Sequence, residues 1–228
     1  MAIGAVQLNP GHTFSTTYTT TAIDATAYTK FYVVVFFDTG SFVSFADSHS
    51  NTYTQVGTEA TSINGAKVRR YLCESGVGDA SHTFTLNITP AGSIVVFPIA
   101  ITGAAATALD QAATPNDDSA SPYVSNSVTT TQANELLVSC TCDEGGSAGT
   151  THTEGTGFTV LTEYTDGTSM NTSCIATRSV SSTGSYNSSF TLGAAVSASL
   201  VTLDTFKELV ASSVIQPMIY QRKTLYFI

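Results

Sequence analysis

The chain has 228 residues, 42% of them hydrophobic and only 11% charged, which is enough apolar material for one sizeable core without disulfides or metals. Its net charge of −9 and its 8 basic residues exclude a basic nucleic-acid-binding face, because neutralising phosphates takes clustered Lys and Arg. The 12 Phe and 10 Tyr exclude a disordered Ser/Thr-rich chain, and the low charge leaves Ser, Thr, Asn, Gln and Gly to cover the surface.

From the N-terminus, Met1–Val6 lacks a basic stretch and a long apolar core, so no signal peptide is expected. The Thr-rich run Thr16–Thr21 suits the outward face of a strand. Phe31–Phe37 is a continuous apolar run of strand length and predicts a strand covered on both faces. Short strands are expected near Thr52–Val56 and Lys67–Cys73, with an Asn64-Gly65 hairpin signal between them. Thr83–Thr89 alternates, placing Phe84, Leu86 and Ile88 on one face. Ile94–Ile101 is the longest apolar run. It is too short to span a bilayer, so no membrane insertion is expected, and Pro98 predicts a bulge or an edge position there.

Ala112–Ser127 reads as the longest loop. Strands follow near Glu135–Cys142, Phe158–Tyr164, Thr172–Val180, Tyr186–Leu192 and Ser199–Phe206, and a brief helix fits only within Lys207–Ser212. No internal repeat is evident and no linker splits the chain. The fold class expected is all-β, an antiparallel β-sandwich of jelly-roll or immunoglobulin-like type, with an extended C-terminal arm. The expected division is a sandwich domain over 1–207 and an assembly tail over 208–228.

Catalytic residues are not evident. Glu135, Glu144, Glu154 and Glu163 lie at loops or strand ends and read as solvated carboxylates rather than a glycosidase pair. No Gly-x-Ser-x-Gly elbow is present, and Gly145–Gly149 lacks the Lys and helix of a phosphate loop. His12, His49, His82 and His152 are scattered in polar segments and read as surface residues. Cys73, Cys140, Cys142 and Cys174 read as free buried thiols, with Cys140 and Cys142 on one strand face, and their spacing is poor for zinc. Asn116–Ser119 and Asp143-Glu144 are oxygen-rich segments open to calcium, but no cofactor or metal is expected. Tyr28, Tyr53, Tyr123 and Tyr164 lie near loops and are candidates for stacking on a sugar ring, against the ordinary reading of half-buried tyrosines.

Several segments resemble a β-sandwich module found in tailed-phage structural proteins and in large bacterial surface proteins. Asp47-Ser48-His49-Ser50-Asn51-Thr52-Tyr53-Thr54 is similar to that module's Asp-Ser-x-Gly-Asn-Thr-Tyr turn, with Ser50 at the Gly position. Leu109-Asp110-Gln111, Val128–Leu137, Gly157-Phe158-Thr159, Ser182–Leu192 and Leu203–Lys207 follow in the module's order. The resemblance covers roughly residues 30–207 and implies a sandwich in a structural or adhesive setting, with no catalytic motif. It ends before the tail, Val214–Ile228, which is rich in large apolar side chains and closes on Leu225-Tyr226-Phe227-Ile228. Such a segment needs a surface to lie on, its own domain or a neighbour's.

The expected function is therefore a non-enzymatic virion protein, decorating the capsid or forming part of a head-fibre or tail assembly. Its expected location is the virion, after assembly in the host cytoplasm. Its partners would be other virion proteins and copies of itself, engaged through Ile219, Tyr220, Arg222, Leu225, Tyr226, Phe227 and Ile228. The alternative is a carbohydrate-binding adhesin or receptor-binding module, with a host-surface glycan as partner.

Overall fold

The computed structural model describes residues 2–38, 40–144, 151–165, 172–193, 196 and 198–210. The tail that carries the expected partner contacts, Ile219 to Ile228, lies outside the described residues. Nineteen antiparallel strands make up the fold, and no helix occurs among the described residues. The expected sandwich is present. Of the brief helix expected within Lys207–Ser212, the described residues 207–210 show none, because Lys207 and Glu208 continue the last strand, and 211–212 lie outside the described residues.

The first half of the chain contributes β1 (Gly4–Gln7), β2 (Gly11–Thr19), β3 (Phe31–Phe37), β4 (Ser41–Asp47), β5 (Thr54–Gln55), β6 (Ala60–Thr61), β7 (Lys67–Cys73) and β8 (Phe84–Thr102). The second contributes β9 (Ala104–Ala112), β10 (Asn116–Asp118), β11 (Tyr123–Val124), β12 (Val128–Thr129), β13 (Glu135–Glu144), β14 (His152–Glu154), β15 (Thr159–Thr165), β16 (Thr172–Val180), β17 (Ser185–Tyr186), β18 (Ser189–Leu192) and β19 (Ala198–Glu208). Each half builds one main sheet, in the orders β1-β8-β3-β7-β5 and β10-β19-β13-β16-β15. The expected loop over Ala112–Ser127 instead holds β10 and β11, strands too short to show a period.

The central strand of each sheet is buried on both faces; β3 is a continuous apolar run, whereas β13 also buries Glu135, Ser139, Thr141, Asp143 and Glu144. All seven residues of β3 and all ten of β13 are buried. Tyr32, Val34 and Phe36 of β3 face Leu136, Val138 and Cys140 of β13 across the interface between the halves. On the opposite side of β3, Phe31, Val33 and Val35 are covered by Phe84, Leu86 and Ile88, from the first part of the long β8. On the far side of β13, Leu137 lies in a cluster with Tyr123, Phe158, Phe190 and Leu192. The four thiols are all free and buried, with Cys140 and Cys142 on the shared interface.

Pro98 needs no bulge. It pairs with Val33 inside β8, and its carbonyl accepts the Leu8 amide at 3.0 Å. Its missing N–H falls on the side where β1 hands over to β2, so no ladder bond is lost.

The strand pairing contains a repeat that the residues do not display. The pairs Gly11↔Val96, Tyr18↔Leu86, Ile23↔His82, Phe31↔Cys73 and Phe31↔Ala100 correspond to Asn116↔Val201, Tyr123↔Phe190, Val128↔Tyr186, Glu135↔Val180 and Glu135↔Lys207. The outer pairings β4 with β8 and β5 with β7 recur as β14 with β18 and β15 with β16. The counterpart lies about 104–107 residues further on in each case, a near-constant offset that makes the two halves topologically equivalent. The single sandwich is thus two equivalent β units packed through equivalent sheets.

Candidate functional site

At the end of β4, Asp47 organises the turn whose sequence resembles the phage module. Its Oδ1 accepts the amides of His49 and Asn51 at 3.1 and 3.0 Å, and its Oδ2 accepts Asn51 Nδ2 at 2.7 Å and the Tyr53 hydroxyl at 2.8 Å. Burial, followed by the Asp47 carboxylate, pushes the Tyr53 hydroxyl well above its ordinary pKa, so it remains a donor. Asn51 also clamps Val77 through that residue's amide and carbonyl, at 2.8 and 2.9 Å. Asp47, Asn51 and Tyr53 therefore form a turn lock rather than a reactive set.

Within this turn Ser50 is left-handed, with φ at +54°. Left-handed backbone costs a non-Gly residue about 1–2 kcal/mol, partly offset by the roughly 0.5–1 kcal/mol of entropy that Gly loses on folding. Ser50→Gly is expected to stabilise the fold by about 0.5–1 kcal/mol in urea titrations. A loss of stability would contradict this reading of the turn.

Beside this lock, two imidazoles and a carboxylate converge. His82 is fully buried, stacked on Phe31 at 5.0 Å and edge-on to Phe84 at 4.9 Å. Its Nε2 lies 3.2 Å from Asp47 Oδ2 and its Nδ1 lies 3.6 Å from Asp79 Oδ1, yet neither nitrogen makes a hydrogen bond. The first contact is close enough in distance but poorly directed, so we count it as electrostatic proximity only. His49 Nε2 lies 3.0 Å from Asp79 Oδ2, and this hydrogen bond holds the Asp79 carboxyl below its usual range. The two rings are parallel, with centroids 5.7 Å apart. His49, Asp79 and His82 offer ligand atoms that all lie within 4.8 Å of one another.

The histidines expected at the surface divide. His49 is exposed and His12 partly buried, but His82 and His152 are inside. His152 sits between Asp143 and Glu163, bonded to Asp143 through Nε2 and lying 2.6 Å from Glu163 through Nδ1. Burial works against its charge, but the two carboxylates prevail and raise its pKa. For His82 an apolar strand pattern continues through a polar residue, whereas β14 around His152 has no apolar pattern. His82 stands two residues before Phe84, in phase with Leu86 and Ile88, a position the period-two rule assigns to the core.

Glu135 and Glu144, expected to be solvated, are also buried. Burial raises the pKa of each. Glu144 accepts the Ser62 hydroxyl and the Ala66 amide, both at 3.0 Å, which ties the β6–β7 turn to β13. Glu135 accepts the Gln132 amide beside Asp110, whose carboxylate takes both the amide and the hydroxyl of Thr131. One raised and one lowered carboxyl side by side is an acid–base pattern, but the side chains of Asp110 and Glu135 are 3% and 0% exposed and admit no substrate.

The oxygen-rich segments are engaged as well. Asp117 accepts the Ile63 amide at 2.6 Å, and Asp118 accepts those of Ala120 and Val124, so N–H donors hold the oxygens that calcium would need. Among the tyrosines weighed for sugar stacking, Tyr123 is core, while Tyr28, Tyr53 and Tyr164 are partly buried. No protein-family model, curated protein or solved structure matches this chain.

Proposed function

We propose that this chain is a non-catalytic structural protein of a tailed-phage particle, a decoration, head-fibre or tail component that works through subunit contacts. One observation carries the reading: the segments that resemble the phage module spend their polar side chains inside the fold. Asp47, Asn51 and Tyr53 lock one turn. Asp110 of the Leu109-Asp110-Gln111 segment holds Thr131 of Val128–Leu137. The Thr130 hydroxyl accepts the amide of Gly184, in Ser182–Leu192, at 3.1 Å, and Asp204 of Leu203–Lys207 pairs with Arg70 across the halves. A motif set devoted to body stability suits a protein whose task is geometry.

Attachment is then assigned to the tail, through Ile219, Tyr220, Arg222 and Leu225 to Ile228. Deleting 214–228 is expected to leave a body with an unchanged cooperative melt, while removing the protein from assembled particles. A truncated chain that fails to fold, or one that still enters particles, would overturn the assignment.

A further inference from the structure

We propose that His49, Asp79 and His82 form a binding site for a divalent transition-metal ion of the zinc type, with Asp47 orienting His82. The argument begins from the cost of His82 as it stands. A fully buried imidazole whose two nitrogens lie near carboxylates but hydrogen-bond to neither is only partly compensated for its removal from water. Protonation does not remove the problem, because an imidazolium needs an in-line acceptor at each nitrogen. A metal ion does, because it takes one nitrogen as a ligand and leaves the other N–H to a carboxylate.

The surroundings match that division. Nδ1 of His82 faces Asp79, at 3.6 Å, and Nε2 faces Asp47, at 3.2 Å. Asp47 is itself fixed by Asn51 and Tyr53, so a small turn of the His82 ring on metal binding would bring its Nε2–H into line with a carboxylate already held in place, the partner a metal-bound histidine uses. On the outer side, His49 and Asp79 are already side by side, at 3.0 Å. Tetrahedral ligands at about 2.0–2.1 Å from zinc stand roughly 3.3 Å apart, so a set within 4.8 Å needs only a small contraction of surface side chains.

Access and selectivity also follow. The side chains of His49 and Asp79 are 35% and 38% exposed, so an ion arrives from solvent and leaves a fourth position open to water or a donor from another molecule. Two imidazoles and one carboxylate favour zinc, cobalt, nickel or copper over calcium and magnesium, which prefer oxygen. The ion would tie the turn after β4 to the segment before β8, reinforcing the same lock that Asp47 builds from hydrogen bonds.

The test uses the full chain, freed of metal, titrated with Zn2+ by calorimetry and with Co2+ by absorption. One ion per chain is expected, with a cobalt spectrum lacking thiolate charge-transfer bands. His49→Ala and Asp79→Asn each should weaken binding at least tenfold while leaving the metal-free melting temperature unchanged, since both side chains reach solvent. Absence of Zn2+ and Co2+ binding by the folded chain would overturn the proposal. So would affinity unaffected by both substitutions, or a thiolate band assigning the ion to cysteines.

Discussion

Replacing Arg70 with alanine is expected to cost about 3–5 kcal/mol, because it strands a buried carboxylate between the two halves of the molecule. Arg70 comes from β7 and is 1% exposed, while Asp204 comes from β19 and is 0% exposed. Arg70 Nη1 reaches Asp204 Oδ1 at 2.6 Å, and the Tyr32 hydroxyl of β3 donates to the other oxygen. Burial disfavours the charge on both partners. For Arg70 the Asp204 carboxylate more than offsets this and raises its pKa, so the guanidinium stays charged. Burial lifts the Asp204 carboxyl against the pull of Arg70.

Two of the Arg70 nitrogens, Nε and Nη2, have no hydrogen-bond partner, so the pair repays its desolvation incompletely. The double change Arg70→Leu with Asp204→Leu should therefore recover most of the loss, because replacing both members of a buried pair is often neutral or stabilising. Urea unfolding of the two single variants and the double variant gives the coupling directly. Arg70→Ala costing under about 1 kcal/mol would mean that the pair does not bear on how the halves join.

Separating the halves is the second large effect expected. Residues 1–103 or 104–228 expressed alone would each expose a sheet face built for the other. On the first half that face carries Tyr32, Val34, Phe36, Phe97, Ile99 and Ile101, all buried in the intact chain. At about 1.5–3 kcal/mol for each such side chain, the lost burial is on the order of 10 kcal/mol, comparable with the roughly 5–15 kcal/mol that stabilises a whole domain. Each half alone should be aggregated or self-associated by light scattering, without a cooperative melt as a monomer, and co-expression should restore a single monodisperse species. A half that folds cooperatively as a monomer would show that the two equivalent halves are independent domains.

Much of the secondary structure was legible in residue order. β3, β7 and β16 occupy the spans read from apolar runs and alternation, because period two needs no partner to be recognised. The double-sided burial of β3 followed from the same run. The two- and three-residue strands β10 and β11 were not legible, because they are too short to show a period and pairing with β19 and β18 forms them. The buried acids and histidines were misread for a related reason. Composition ranks Glu135, Glu144 and His152 as surface residues, and only a neighbour distant in sequence, such as Ser62 for Glu144, can satisfy them inside.

By itself the sequence determined the class: strands throughout, an apolar core and a low-charge Ser/Thr surface. These depend on local periodicity and bulk composition, which a chain carries wherever it folds. Tertiary structure alone decided the pairing of two equivalent units, the Arg70–Asp204 link between them, and the meeting of His49, Asp79 and His82. Each of these joins residues far apart in the chain at ångström distances, and proximity of that kind is fixed by strand register and sheet packing rather than by any short stretch of sequence.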